Sequence, residues 1–190
     1  MHELLQAKER IGLSAGPTLV RLDEWLNSIA AGKAEPALDR IASKGGNGTA
    51  LIIIEDIAAD VIQNARGKER KLLSKSLQEL LYYCSGFDPD LGYSQFKSRL
   101  FKYVRRKGTA SIVKQFLALY YFNHVWFEAS DSMRAMARNT AAFEKQMALV
   151  EQLCRKAVAS TWKSFEPVKR PLNLRTAGEL LRNIERLLRG

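Results

Sequence analysis

Apolar residues recur along most of this chain at intervals of three and four, the spacing of one face of an α-helix, rather than in the alternation of a half-buried strand. The pattern predicts a first helix over residues 2 to 12. The break "SAGP" follows, and a second helix runs to about Ala31, with Pro17 suited to its first position, where a missing N–H leaves no bond unmade. Leu22, Trp25, Leu26 and Ile29 mark the buried side of that helix. Pro36 opens another short helix, and "KGGNGT" at 44 to 49 reads as a loop.

From Ala50 to Arg66 the consecutive Ile52 to Ile54 would suit a strand. The longer series Leu51, Ile54, Ala58, Val61 and Ile62 has helical spacing, and helix is the assignment. "KERKLLSKSLQELLYYCSG" is amphipathic, with Leu73, Leu77, Leu80 and Leu81 turned inward, and "GFDPDLGYS" is a turn of some length. "YSQFKSRLFKYVRRKG" is the next helix. Between Gly108 and Pro167 there is neither glycine nor proline, a span too long for one ordinary globular helix, so two helices or one long bent one are expected, with the interruption near "EASDS" at 128 to 132. Beyond it Met136, Thr140, Phe143, Met147, Val150, Cys154, Ala157 and Thr161 alternate spacings of four and three, the seam of a helix packed lengthwise in a bundle.

The last segment, "TAGELLRNIERLLRG", has Thr176 and Glu179 at capping-box spacing. Its stripe of Leu180, Leu181, Ile184, Leu187 and Leu188 is the candidate partner-binding surface, opposite Arg182, Arg186 and Arg189. The expected fold is therefore all-α: a multi-helix bundle of about seven to nine helices with long central helices and a C-terminal amphipathic helix. The 190 residues suit a single domain. A subdivision into acidic N-terminal helices (1–48), a basic bundle (49–170) and a C-terminal docking helix (171–190) is compatible with the pattern.

Charge sharpens this picture. The chain carries a net +10, and it is unevenly placed. Residues 1 to 66 hold seven Lys/Arg against nine Asp/Glu, a balance of −2, and the remainder holds twenty-three against eleven, or +12. The excess points to an acidic partner for the second part. It is densest in Tyr93 to Gly108, with six Lys or Arg among sixteen residues and no carboxylate.

On a wheel of about 100° per residue, Phe96, Leu100, Tyr103 and Val104 fall on one side of that helix, and Arg99, Lys102, Arg105 and Arg106 gather on the other. Without interleaved acids these cations have no neighbouring-turn partners. They suit phosphate contact, with Lys97 and Lys107 beside them and Lys68, Arg70, Lys71 and Lys75 upstream to extend the patch. Tyr93 or Phe101 would stack on an unpaired base. The turn before this helix is longer than a helix-turn-helix commonly uses.

Other chemistry is thin. "KGGNGT" does not match G-x-x-x-x-G-K-[ST] and follows no strand, so no nucleotide cofactor is expected. His124, Glu128 and Asp131 share a helical face and would make half a metal site. The chain has one other histidine, His2, and no Glu-x-x-His, so no metal and no catalytic triad is expected. Asp56 and Asp60 with Glu55 make a small acidic face, read as solvated or ion-paired rather than as a Mg²⁺ site. The aromatic run "FLALYYFNHVWF" reads as core. Cys84 and Cys154 lack metal-site or redox spacing and read as buried thiols.

The charged N-terminus is no secretory leader, and the most apolar run, Ile112 to Phe127, falls short of the ~20 residues of a membrane span. The expectation is a cytoplasmic protein without membrane contact or enzymatic activity. It is read as a nucleic-acid-associated helical subunit that touches the DNA or RNA backbone, with other protein subunits as partners. The alternative is a protein–protein adaptor or scaffold subunit without nucleic-acid contact.

Overall fold

The apolar stripes close on one another as helices. The computed structural model describes residues 15–33, 36–43, 48–62, 64–165 and 172–189, and among these there are eight helices and no strand. The fold is the all-α multi-helix bundle that the periodicity implies. The helix expected over residues 2 to 12 lies outside the described residues, as does most of the "KGGNGT" loop.

α1 (Ala15–Ala30) begins inside the "SAGP" break, with Pro17 in its first turn, and buries Leu19, Leu22, Trp25, Leu26 and Ile29. Gly32 ends it with φ 71°, a conformation that suits glycine. α2 (Pro36–Ser43) inserts Leu38 and Ile41. α3 (Ala50–Val61) is helical as expected but stops before Arg66. Its buried arc is Ala50, Ile53, Ile54, Ile57, Ala58 and Val61, and Leu51, assigned inward from its spacing, is 52% exposed. On the wheel Leu51 falls just past the edge of that arc, next to Ala58, and Ala50 and Val61 hold the centre.

α4 (Gly67–Ser85) buries Leu72, Leu73, Leu77, Leu80, Leu81 and Cys84 and ends at Gly86 with φ 86°. The Phe87 N–H then donates to the Tyr82 carbonyl at 3.0 Å, which closes the end of the helix. α5 (Tyr93–Lys107) follows the turn, and Gly108 separates it from α6 (Thr109–Met136), the longest helix at 28 residues.

The break in the long glycine-free region comes at residues 137–139, not at 128 to 132. Ala129 and Met133 continue the buried stripe of α6 through "EASDS", so packing holds the helix across those polar residues. The Asn139 side-chain oxygen then accepts from the Ala142 N–H at 2.8 Å and opens α7 (Thr140–Phe165). Phe143, Met147, Val150, Cys154, Ala157 and Thr161 of the expected seam are buried, whereas Met136 and Thr140, at the bend, are exposed.

α8 (Leu174–Arg189) starts earlier than its expected cap. The Thr176 N–H donates to the Asn173 side-chain oxygen at 2.9 Å, and the Asn173 N–H donates to the Thr176 hydroxyl at 2.8 Å. This reciprocal box sits three residues before the expected one, and Glu179 instead accepts from Arg175. The shift adds Leu174, Arg175 and Thr176 to the helix, and Leu174 and Arg175 are exposed.

α6 runs through the middle and packs on α7, α4 and α1, while α8 lies against α7 and α1. One buried cluster draws residues from all eight helices, with Phe116, Tyr120 and Tyr121 among its largest members. Several of its polar groups are tied down. The Tyr120 hydroxyl donates to Glu69 at 2.6 Å, the Tyr121 hydroxyl to the Leu181 carbonyl at 2.8 Å, and the Asn123 amide to Ser76 and Glu79. No helix among the described residues is long and apolar enough to cross a membrane.

Candidate nucleic-acid interface

α5 is a docked helix with one wet side. Phe96, Leu100 and Val104 are fully buried, which fixes its rotation about its axis. Its first residue is anchored as well, because the Tyr93 hydroxyl donates to the Leu38 carbonyl in α2 at 3.0 Å. Tyr103 is half-buried, its ring 5.8 Å from that of Tyr83 and its hydroxyl on Gln115 at 3.3 Å. Burial, with Cys84 and Tyr83 alongside, pushes that hydroxyl up to about 12.

On the outer face Lys97, Lys102, Arg105 and Arg106 line one shallow groove along the helix, together with Phe101. Lys97 lies 5.8 Å from the Tyr93 ring and 5.8 Å from the Phe101 ring, so its ammonium is held between two aromatic faces. Arg106 lies 5.7 Å from the Tyr103 ring. Arg105 stands beside Gly32, at the C-terminal end of α1, where the helix dipole favours a cation. Lys102 and Lys107 are exposed. Among the described residues none of Lys97, Lys102, Arg105, Arg106 and Lys107 lies within 4.0 Å of a carboxylate.

Arg99 is different. It donates to the Ser85 carbonyl at 3.1 Å and pairs with Asp88 at 3.5 Å, so it ties α5 to the turn after α4. Sequence spacing groups it with the free cations, but that turn folds back and captures it.

The upstream cations do not form a simple extension of this face. Lys68 pairs with Glu128 and lies 5.0 Å from the Phe127 ring, and Lys75 is 3.9 Å from Glu79 and 6.0 Å from the Trp126 ring. Arg70 donates to the Ile62 carbonyl at 3.2 Å, and Lys71 is exposed. The partners of this group are on α6, on α4 itself and in the α3–α4 connection.

Of the candidate partner-binding stripe, Leu180, Leu181, Ile184 and Leu188 are buried in the chain's own core, and Leu187 is 53% exposed. The stripe is largely covered by α1 and α7 because α8 docks on them. Two of the α8 arginines are paired on their own helix, Arg175 with Glu179 and Arg189 with Glu185.

The other candidates have structural places. His124 is buried, Glu128 is held by Lys68, and Asp131 is exposed. Among the described residues no group of three or more His, Cys, Asp or Glu side chains is placed to hold a metal ion. Asp60 joins three helices by accepting from Arg21 of α1 at 3.4 Å and from Arg40 of α2. Spacing along the chain gave no sign of this bridge, since the partners are 39 and 20 residues away. The aromatic partners of Lys97 were legible in principle, because Tyr93 and Phe101 flank it at i−4 and i+4.

Fold and site together define an all-α bundle that carries a docked basic helix. Compared with known proteins, the chain matches no family model, no curated protein and no solved structure.

Proposed function

We propose that this chain is a non-catalytic nucleic-acid-associated protein, a small subunit of a nucleoprotein assembly, that holds the phosphate backbone through α5. The observation that carries this reading is the set of five cations, Lys97, Lys102, Arg105, Arg106 and Lys107, on one rigidly docked helix with no carboxylate partner among the described residues. Fifteen helical residues span about 22 Å, long enough to follow several successive phosphates. Each neutralised phosphate releases counterions, and that release supplies affinity independent of sequence. The contacts position the nucleic acid without reading base edges.

The adaptor reading rested on the Leu180 to Leu188 stripe, of which Leu187 is the exposed member, and on the aromatic run, of which Phe116, Tyr120 and Tyr121 are buried and Phe127 is exposed. The basic helix therefore supports nucleic acid better than the C-terminal helix supports a protein partner. The experiment is a fluorescence-anisotropy titration of labelled single- and double-stranded DNA and RNA with the full chain at about 50 mM salt, where backbone contacts are strongest. Binding to one or more of these supports the reading. Failure to bind any of them at that salt removes it.

A further inference from the structure

A cleft of about 820 Å³ opens where α6 turns into α7, a volume in the range of ligand-binding cavities. Phe122 and Trp126 of α6 and Phe143 and Met147 of α7 line it, with Arg134, Glu144 and Glu151 as charged members. The rings form a continuous surface, with Phe122 6.2 Å from Trp126 and Trp126 5.7 Å from Phe143. Cations already stand on it. Arg134 is 5.2 Å from the Phe143 ring, and Lys75 of α4 is 6.0 Å from the Trp126 ring. Beside them Lys68 stands over Phe127, whose side chain is 54% exposed. Aromatic and basic side chains thus alternate from α4 across α6 to the start of α7.

We infer that this cleft receives one unstacked base of a single strand, which rests on the nucleic-acid reading above and adds the strand state to it. Every base has a π-face that stacks on an aromatic ring whatever its identity, and cations along the same track hold the backbone. Lys71 shares the Lys68 and Lys75 side of α4 and is exposed, and Arg134 has no carboxylate within 4.0 Å among the described residues, so both are open to adjoining phosphates.

The carboxylates sort the two parts of a nucleotide. Glu144 and Glu151, the latter bonded to Arg155, put carboxylates on the cleft lining, which disfavours a phosphate there. A base is neutral, and its amino groups donate to a carboxylate. A cationic peptide side chain is the competing occupant, drawn by Glu144 and Glu151, and the titration below includes it. A duplex keeps its bases stacked and presents none without unpairing.

Trp126 reports on the cleft directly. Trp25 and Trp162 are buried at 2% and 7% exposure, so a quencher from solution reaches Trp126 first. Short labelled single-stranded oligonucleotides, the same strands with abasic sites, a duplex and a lysine-rich peptide are titrated into the full chain, with tryptophan emission and label anisotropy followed together. The base-bearing single strand is expected to quench the emission, and the duplex is expected to bind without quenching. Trp126→Phe is expected to lose the quench, and Trp126→Ala to weaken single-strand binding about tenfold, a change equivalent to about 1.4 kcal/mol and within the range of base–aromatic stacking.

Arg134→Gln, an exposed change that leaves the rings in place, is expected to weaken single-strand binding and flatten its salt dependence. Anisotropy change without quenching, with abasic and base-bearing strands bound equally, overturns the cleft site and leaves the α5 reading standing. No anisotropy change and no quenching overturns both. Quenching by the peptide and not by the oligonucleotides overturns the base site and assigns the cleft to a cationic protein segment.

Discussion

Tyr93 is bonded through its hydroxyl to the Leu38 carbonyl, 55 residues earlier in the chain, so the first turn of the basic helix is fastened to α2. The same ring lies 5.8 Å from the Lys97 ammonium. One side chain thus sets the position of α5 and restrains one of its cations.

These two roles separate by substitution. Tyr93→Phe removes the hydroxyl and keeps the ring, and is expected to lower stability by about 0.5 to 1.5 kcal/mol with little change in oligonucleotide affinity. Tyr93→Ala is expected to lower both. Urea melts paired with anisotropy titrations read the difference, and a Tyr93→Phe variant that melts like the wild type removes the anchoring role.

Asp60 is the joint of the acidic first part. Its side chain is 14% exposed and accepts from Arg21 and Arg40, which themselves remain partly in solvent. Asp60→Ala leaves two guanidinium groups without their shared partner at the meeting of α1, α2 and α3. The expected loss is roughly 1 to 2 kcal/mol, discounted for the exposure of the arginines. A double-mutant cycle with Arg21→Ala measures the coupling, and additive effects within about 0.3 kcal/mol contradict the bridge.

Such joints explain what the sequence hid. Amphipathic stretches were legible: the stripes Leu73–Leu81 and Phe96–Val104 are buried as their spacing implies. The α6–α7 bend was not, because neither glycine nor proline marks it and Ala129 and Met133 carry the apolar stripe past the polar residues that imitate a break. Thr176 and Glu179 imitate a cap in the same way, while Asn173 and Thr176 form the real one. Of the basic face, the helical wheel placed the free cations correctly on the exposed side of α5. It did not separate Arg99 from them, because the capture of Arg99 by Ser85 and Asp88 depends on how the intervening turn folds back.

The two thiols give a pH-dependent test. Cys84 and Cys154 are both buried and unbonded to one another, and burial pushes each thiol up to about 12 from an ordinary 9. A thiol-specific chromogenic reagent at pH 8 is expected to find neither in the native chain and both after denaturation. The folded pKa values lie above the unfolded ones, so the unfolded chain loses its protons first. Stability is therefore undiminished by these groups below about pH 9 and falls as pH rises from about 9 to about 12. Rapid labelling of a full equivalent in the native state at pH 8 contradicts the burial.

The most direct test of the central claim is the salt dependence of oligonucleotide binding by the wild type and by a variant with Lys97, Lys102, Arg105 and Arg106 changed to Gln, compared over about 50 to 200 mM salt. Gln keeps the helix, and the buried Phe96, Leu100 and Val104 are untouched, so circular dichroism and melting are expected to match. The account predicts that log affinity falls linearly with log salt for the wild type, and that the variant's slope is shallower by about 0.7 to 0.9 for each phosphate contact removed. Equal slopes and equal affinities for the two proteins contradict it, and place whatever nucleic-acid affinity the chain has on another face.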